Sequence, residues 1–302
     1  MKNTCIIITG PTAIGKTSLA IELAQHLSTQ IISADSRQCF KELNIGVARP
    51  SIDQLDLVKH YFINSHSIHE QINAVTFEKY ALDAISEIFK KSNVAVMVGG
   101  TGLYIKSFCE GMDDISQIPL EIRTMVMEKY HANGIEWLTE MLEENDPEFA
   151  KNGEMQNPQR MMRALEVTLS TGKSILSFQS NKKAERDFDV IKIGLELPRE
   201  ELYTRINNRV DEMITSGHIE EVKNLQQYKS LNALQTVGYR ELFDCFDGKI
   251  NEERAIELIK QHTRHYAKRQ LTWFKKDLET TWFNPQFDQV RNYVNQTIKW
   301  SN

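Results

Sequence analysis

The run Gly10-Pro11-Thr12-Ala13-Ile14-Gly15-Lys16-Thr17 fits the phosphate-loop pattern G-x-x-x-x-G-K-[ST], and it stands directly behind an apolar segment, Cys5-Ile6-Ile7-Ile8. An unbroken apolar run of that length reads as a strand buried on both faces, as strands of parallel sheets are. Ser18 to Leu27 then carries helical periodicity through Leu19, Leu23 and Leu27. A glycine-rich turn between the two lets several backbone N–H groups converge on one anion at a helix N-terminus, and Lys16 adds a point charge. The order strand, loop, helix predicts a polyphosphate site at residue 10.

The alternation continues. Strands are predicted at Ile31-Ile32, Tyr61-Phe62-Ile63 and Val94 to Val98, with a helix from Thr76 to Lys90. This rhythm predicts an α/β fold, a P-loop NTPase-like parallel sheet core with flanking helices. From Leu120 to Phe178 the pattern is helical throughout, punctuated by Pro119, Pro147 and Pro158, which reads as a helical insertion subdomain. A further strand at Val190 to Leu197, helical segments from Arg199 through Lys229, a long amphipathic helix from about Asn251 to Lys276 and a short strand at Thr281 to Phe283 complete the reading. The expected division is 1–115 for the first part of the core, 116–185 for the insertion, and 186–302 for core completion and a C-terminal helical region.

Composition excludes other classes. The 302 residues are 41% hydrophobic and 25% charged, which suits a folded globular chain rather than a disordered or fibrous one. With no apolar run near the roughly 18 residues a membrane span needs and no charged-then-apolar leader, a cytoplasmic protein without membrane contact is expected. Cys5, Cys39, Cys109 and Cys245 form no C-x-x-C pair and read as core filler. The net charge of −5 conceals a local excess of base: Arg254, Lys260, Arg264, Lys268, Arg269, Lys275 and Lys276 stand in one segment against Glu257 alone.

Three polar signatures fall after strand ends, where parallel sheets place ligands: the phosphate loop, Ser33-Ala34-Asp35-Ser36 and Gly99-Gly100-Thr101. Asp35 there suits a water-mediated magnesium contact or a base toward an acceptor, or else opens a turn. Gly99 and Gly100 permit close backbone approach, and Thr101 is either a ligand hydroxyl or a helix N-cap. An NTPase commonly ends such a strand with a magnesium-holding Asp; glycines here argue against NTP hydrolysis. Arg160 and Arg163 share a helix face, suited to a phosphate contact or to pairing with Glu166. Arg205 and Arg209 are spaced to clamp a diphosphate or to pair with Glu201 or Asp211. The segment Gln261 to Lys276 interleaves bases with His262, His265, Tyr266, Trp273 and Phe274, a pattern of RNA contact or of one packed aromatic stripe.

Taken in order, several blocks resemble the tRNA dimethylallyltransferase (tRNA isopentenyltransferase) family of bacterial type. They are Gly10 to Thr17, Ile32 to Ser36, Asn44-Ile45-Gly46, Val98 to Tyr104, Asn157-Pro158-Gln159-Arg160, Val237-Gly238-Tyr239 and Ala267 to Phe274. The resemblance implies transfer of a dimethylallyl group from its diphosphate to N6 of the adenosine 3′-adjacent to the anticodon of tRNA, releasing pyrophosphate. It implies that Gly10, Pro11, Thr12, Ala13, Ile14, Gly15, Lys16, Thr17 and Arg209 hold the diphosphate, with Mg²⁺ at Thr17. It also implies catalytic roles for Asp35, Thr101 and Lys16. The RNA would be met by Asp35, Ser36, Arg37, Gln38, Thr101, Arg123, Gln159, Arg160, Met161, Met162, Arg163, Thr236, Val237, Gly238, Tyr239, Arg240, Glu241, Arg264, Lys268, Arg269 and Trp273. A monomer is expected.

The sequence departs from the family pattern at Ile14, Phe40, Val47 and Arg49, where Ser, Tyr, Thr and Lys are common; these leave fine substrate preference open. Competing readings are a prenyltransferase on free adenine nucleotides, a P-loop small-molecule kinase, and a non-catalytic RNA-binding protein with a regulatory nucleotide site.

Overall fold

Six strands form one sheet in the order β3-β2-β4-β1-β5-β6, and every pair is parallel. The computed structural model describes residues 2–113, 115, 118–178 and 183–298. In chain order, β1 (Thr4–Thr9) leads into α1 (Lys16–His26), and β2 (Ile31–Ser33) is followed by α2 (Ile52–Leu57) and β3 (His60–Tyr61). Helix α3 (Ala74–Phe89) returns the chain to β4 (Val94–Val98), and α4 (Gly102–Glu110) follows. After the insertion come β5 (Asp189–Leu195) and, near the C-terminus, the edge strand β6 (Thr281–Phe283).

The chain divides into two compact units, Met1–Gly111 with Ala184–Asn302, and Met112–Lys183. The second consists of α5 (Leu120–Asn145), α6 (Pro147–Asn152) and α7 (Pro158–Thr171). Gly134, at φ 75°, kinks α5. Prolines at the first turns of α6 and α7 are preceded by Asp146 and Asn157, whose side chains cap the helices by accepting from Phe149 and Arg160 N–H groups. Val126, Leu138, Leu142, Phe149, Met161 and Leu165 form the core of this unit.

The core of the first unit is split by the sheet. Side chains alternate across a strand, so Cys5 and Ile7 enter one apolar layer while Ile6 and Ile8 enter the other. The first layer is closed by Phe77, Ala81 and Ile85 of α3 and by Tyr104 and Phe108 of α4. The second is closed by Leu19 and Leu23 of α1, by Leu202 and Ile206 of α8 (Arg199–Thr215), and by Val290 and Val294 of α12 (Phe287–Thr297). Burying each such side chain contributes roughly 1.5–3 kcal/mol, which is why the strands read as unbroken apolar runs. Between α8 and β6 lie α9 (His218–Asn224), α10 (Tyr239–Phe246) and α11 (Glu252–Phe274).

The strand expected at Tyr61-Phe62-Ile63 ends one residue in. Phe62 takes a left-handed φ of 62° and turns its ring into a cluster with Phe77, Tyr80 and Tyr104. Helices α2, α10 and α12 stand outside the expected segments, whereas α4 is the helix that the N-cap reading of Thr101 implies; α2, six residues long, has no buried residue and so no apolar face to read. All four cysteines are free, with Cys5 and Cys39 buried. No helix among the described residues is long and apolar enough to cross a membrane.

Candidate active site

β2, β4 and β1 are neighbours in the sheet, so the loops leaving their C-terminal ends meet at one place. The phosphate loop leaves β1 with Gly10 at φ 145°, where a Cβ would lie 2.8 Å from the Leu195 carbonyl oxygen. Ala13 and Gly15 follow with φ of 64° and 98°, wrapping the chain into the first turn of α1. Lys16 Nζ donates to the Pro11 carbonyl at 2.7 Å, which folds the ammonium back over the loop. Burial pushes its pKa down to about 7, the Arg209 charge pushes the same way, and Asp35 opposes them. Arg209 projects from α8, its Nη1 3.4 Å from Thr12 Oγ1. Two cations thus stand over one anion cradle.

The glycines after β4 fill the space between that cradle and Asp35. A Cβ on Gly99 would lie 2.2 Å from the Ala34 carbonyl oxygen, and one on Gly100 would lie 2.1 Å from Gln270 Nε2. A carboxylate at this strand end is therefore sterically excluded, and the acid is supplied by β2. Asp35 Oδ1 accepts from the N–H groups of Arg37 (2.8 Å) and Gln38 (3.2 Å), an Asx turn that fixes the carboxylate. Oδ2 takes no hydrogen bond among the described residues. Thr101 stands at the N-cap of α4 but makes no cap bond; its hydroxyl accepts from Ser36 N–H at 3.0 Å. Asp35 thus opens a turn and lines the same floor as the phosphate loop.

Two cavities share this floor. One of about 70 Å³ is lined by Thr12, Lys16, Thr17, Asp35, Gly99, Gly100 and Gln270. The other, about 220 Å³, joins Thr12, Asp35, Arg209 and Tyr266 to an apolar wall of Val47, Ile206, Val210, Met213, Val237 and Ile259. Asp35 borders both. An anion pocket beside an apolar one, with a carboxylate at their junction, suits a substrate that is charged at one end and hydrocarbon at the other.

The family model for IPP transferase matches residues 38–277. The chain belongs to the IPP transferase family. The tRNA dimethylallyltransferase of Christiangramia forsetii is 52% identical to it over 99% of both chains, and that of Cytophaga hutchinsonii is 47% identical over 97% of both. The crystal structure of the tRNA isopentenylpyrophosphate transferase of Bacillus halodurans superposes with a TM-score of 0.72 at 33% identity, covering 98% of this chain and 96% of that one. A eukaryotic dimethylallyltransferase acting on tRNA gives 0.77 at 26% identity, covering 97% of this chain and 77% of that one.

The expected site residues of this IPP transferase family member are only partly brought together. Gly10 to Thr17, Asp35, Thr101 and Arg209 are brought together, although the Ile14 side chain is buried and only its backbone faces the loop. Lys268, Arg269 and Trp273 lie exposed along α11, Arg240 is exposed on α10, and Thr236 lines the larger cavity. Arg205 pairs with Glu201 at 2.7 Å and also borders an open pocket with Lys16, Thr17 and Arg209. In the helical unit Gln159 is exposed, Arg160 pairs with Glu154, and Arg123 and Arg163 both face Glu166.

Several residues expected to meet RNA have side chains committed to the protein instead. Met161 is buried in the core of its unit, and Met162 packs partly against it. Gln38 donates Nε2 to the carbonyls of Val47 and Ala48 and accepts from Ser33. Arg37 reaches the Asn232 carbonyl at 2.9 Å, and Arg264 bonds Asn207 on α8 at 2.7 Å. Glu241 is buried, accepting from Gly238 N–H at 2.8 Å and bonded to His262 at 2.5 Å. Tyr239 is fully buried with its hydroxyl 2.6 Å from Glu221.

Glu221 was not picked out from the sequence. Its carboxylate accepts from the N–H groups of Asn44, Ile45 and Gly46 at 2.7–3.1 Å and from Tyr239, which gives the Asn44-Ile45-Gly46 and Gly238-Tyr239 blocks a structural role. Burial raises its pKa, but the bonds it accepts outweigh burial and hold it down to about 2. Gly46 is obligatory here, because a Cβ would lie 2.1 Å from His218 Cε1. Arg49, the departure from the family's usual Lys, donates to the carbonyls of Phe40, Lys41 and Leu43 and braces the same loop.

Proposed function

We propose that the chain transfers a dimethylallyl group from dimethylallyl diphosphate to N6 of the adenosine 3′-adjacent to the anticodon in tRNA. The observation that carries this reading is the placement of Asp35 at the junction of the anion cradle and the apolar cavity. The relatives' names supply the transferred group and the tRNA acceptor.

The allylic C–O bond breaks and its electron pair leaves with pyrophosphate. Lys16, the loop amides and Arg209 stabilise that charge. The apolar wall of Ile206, Val210 and Met213 holds the hydrocarbon end and excludes water from the developing allylic cation. The N6 lone pair forms the new C–N bond, and the proton that N6 loses passes to Asp35 Oδ2, the carboxylate oxygen left open by the Asx turn. Thr101 keeps that turn in place through Ser36. The adenine must be unstacked to reach this floor. Lys268, Arg269 and Trp273, exposed together on α11, suit backbone contact and stacking.

A divalent ion fits the donor set. Thr17 and Asp35 line the same small cavity, and no cluster of three or more His, Cys, Asp or Glu side chains stands ready among the described residues. Thr17 and the diphosphate oxygens would hold Mg²⁺, which takes few protein ligands alongside phosphates and water. When bound it would neutralise leaving-group charge. We take the protein to act as a monomer, in the cytoplasm where its RNA substrate is made.

The experiment is incorporation of labelled dimethylallyl diphosphate into an anticodon stem-loop with adenosine at the acceptor position. Labelling of the stem-loop is expected. Labelling of free AMP instead would replace the RNA acceptor by a nucleotide, and consumption of ATP with a phosphorylated product would favour a kinase.

A further inference from the structure

The phosphate loop is held from outside its own motif. Gln270, on the long helix α11, is buried, with 5% of its surface exposed, and its amide spans two of the three loops of the floor. Its Oε1 accepts from Thr12 N–H at 2.9 Å, and its Nε2 donates to the Gly100 carbonyl at 2.9 Å. The Thr12 amide, in the middle of the anion cradle, is thus turned toward Gln270. The Thr12 hydroxyl receives Arg209 from the other side. A Cβ at Gly100 would stand 2.1 Å from Gln270 Nε2, so the glycine leaves room for the amide where it is.

We propose that Gln270 is a positioning residue for the diphosphate cradle: it fixes the phosphate loop at Thr12 and ties it to the Gly99-Gly100 turn, so that the remaining loop amides face the leaving group. The chemistry requires an amide. A side chain must accept from one backbone group and donate to another about one amide width away, which a carboxylate cannot do and a hydrocarbon does neither. Without it, Thr12 N–H and Gly100 C=O lose their partners in a buried place, and the loop relaxes to find others. This rests on the reading of the loop as a diphosphate site, and it adds to that reading the residue that keeps the site in shape.

The test measures binding of inorganic pyrophosphate by calorimetry, binding of the anticodon stem-loop, and steady-state kinetics, for the wild type, Gln270→Leu and Gln270→Asn. Pyrophosphate affinity and the KM for dimethylallyl diphosphate are expected to worsen at least tenfold in both variants, with stem-loop affinity unchanged. Gln270→Asn keeps the amide but falls one methylene short, so it reads the geometry even where the leucine variant does not fold. Amide exchange gives a second readout on the wild type: Thr12 N–H is expected to be protected before any ligand is added. Equal pyrophosphate affinity in wild type and Gln270→Asn, or an unprotected Thr12 amide, overturns the role of Gln270. Failure of the wild type to bind pyrophosphate at all overturns the diphosphate reading beneath it.

Discussion

Arg209 extends from α8 to the hydroxyl of Thr12, placing Nη1 3.4 Å from Oγ1. The phosphate loop therefore receives its second cation from a distant part of the chain. Arg209→Ala is expected to raise the KM for dimethylallyl diphosphate by roughly 10- to 100-fold, about 1.4–2.7 kcal/mol, in line with a lost charge-assisted contact. Arg254→Ala, which removes an exposed pair with Glu257 on α11, is the matched control and should leave KM unchanged.

Lys16 gives a proton signature. Burial, with help from Arg209, brings its pKa to about 7 in the free protein. Between that value and 10.5 the unfolded chain keeps a proton that native Lys16 has released, so the stability of the ligand-free protein should rise with pH across this window. An anion in the cradle restores the charge. At pH 8 the wild type should therefore take up about one more proton on binding pyrophosphate than Lys16→Met does, read by calorimetry in buffers of different ionisation enthalpy. Identical proton counts would remove Lys16 from the anion.

Asp35→Asn separates chemistry from binding. The asparagine oxygen still accepts from Arg37 and Gln38, so the turn survives while the proton acceptor is lost. Turnover should fall on the order of 10²- to 10⁴-fold with pyrophosphate affinity little changed. Equal losses in both would make Asp35 a ligand of the metal.

Glu221 links acid stability to the rim of the cavity. Its folded pKa of about 2 lies below the ordinary 4.5, so its contribution is complete above pH 4.5 and fades as pH falls through about 2. Glu221→Ala leaves three backbone N–H groups and the Tyr239 hydroxyl unpaired and should cost about 3 kcal/mol or more. Glu221→Gln should flatten the acid loss between pH 4.5 and 2. Thermal melts across this range check both.

On α11, Lys268→Ala with Arg269→Ala should weaken stem-loop binding and reduce the slope of log K against log salt by about 2. An unchanged slope would place both charges outside the RNA contact.

The sheet was legible because its strands are buried on both faces, and the cradle because its motif is continuous. Asp35 and Thr101 were legible as polar residues at strand ends. What escaped was held by distance in sequence. Gln270 stands 258 positions from Thr12, and Glu221 lies 175 to 177 from the turn it supports. Gln270 stands inside the Ala267 to Phe274 block, yet nothing local shows that its amide turns to the loop, and nothing local marks Glu221. The same blindness made Tyr239, Glu241 and Gln38 look like RNA contacts: a polar side chain in a motif reads alike whether it faces a substrate or a buried backbone group.

Where the chain leaves the sheet unit and comes back, it is pinned. Ala184 N–H donates to the Glu110 carbonyl at 2.8 Å, and Arg186 clasps α4 through the carbonyls of Phe108 and Ser107 while pairing with Glu78 on α3. Both ends of the Met112–Lys183 excursion are thereby fastened to the same spot. Closing a long loop adds little entropy cost once its ends are tied, so whatever lies beyond the clasp can lengthen, shorten or be exchanged without unravelling the catalytic floor. The clasp makes the helical unit a cassette, whose length and packing can change without passing strain into the sheet.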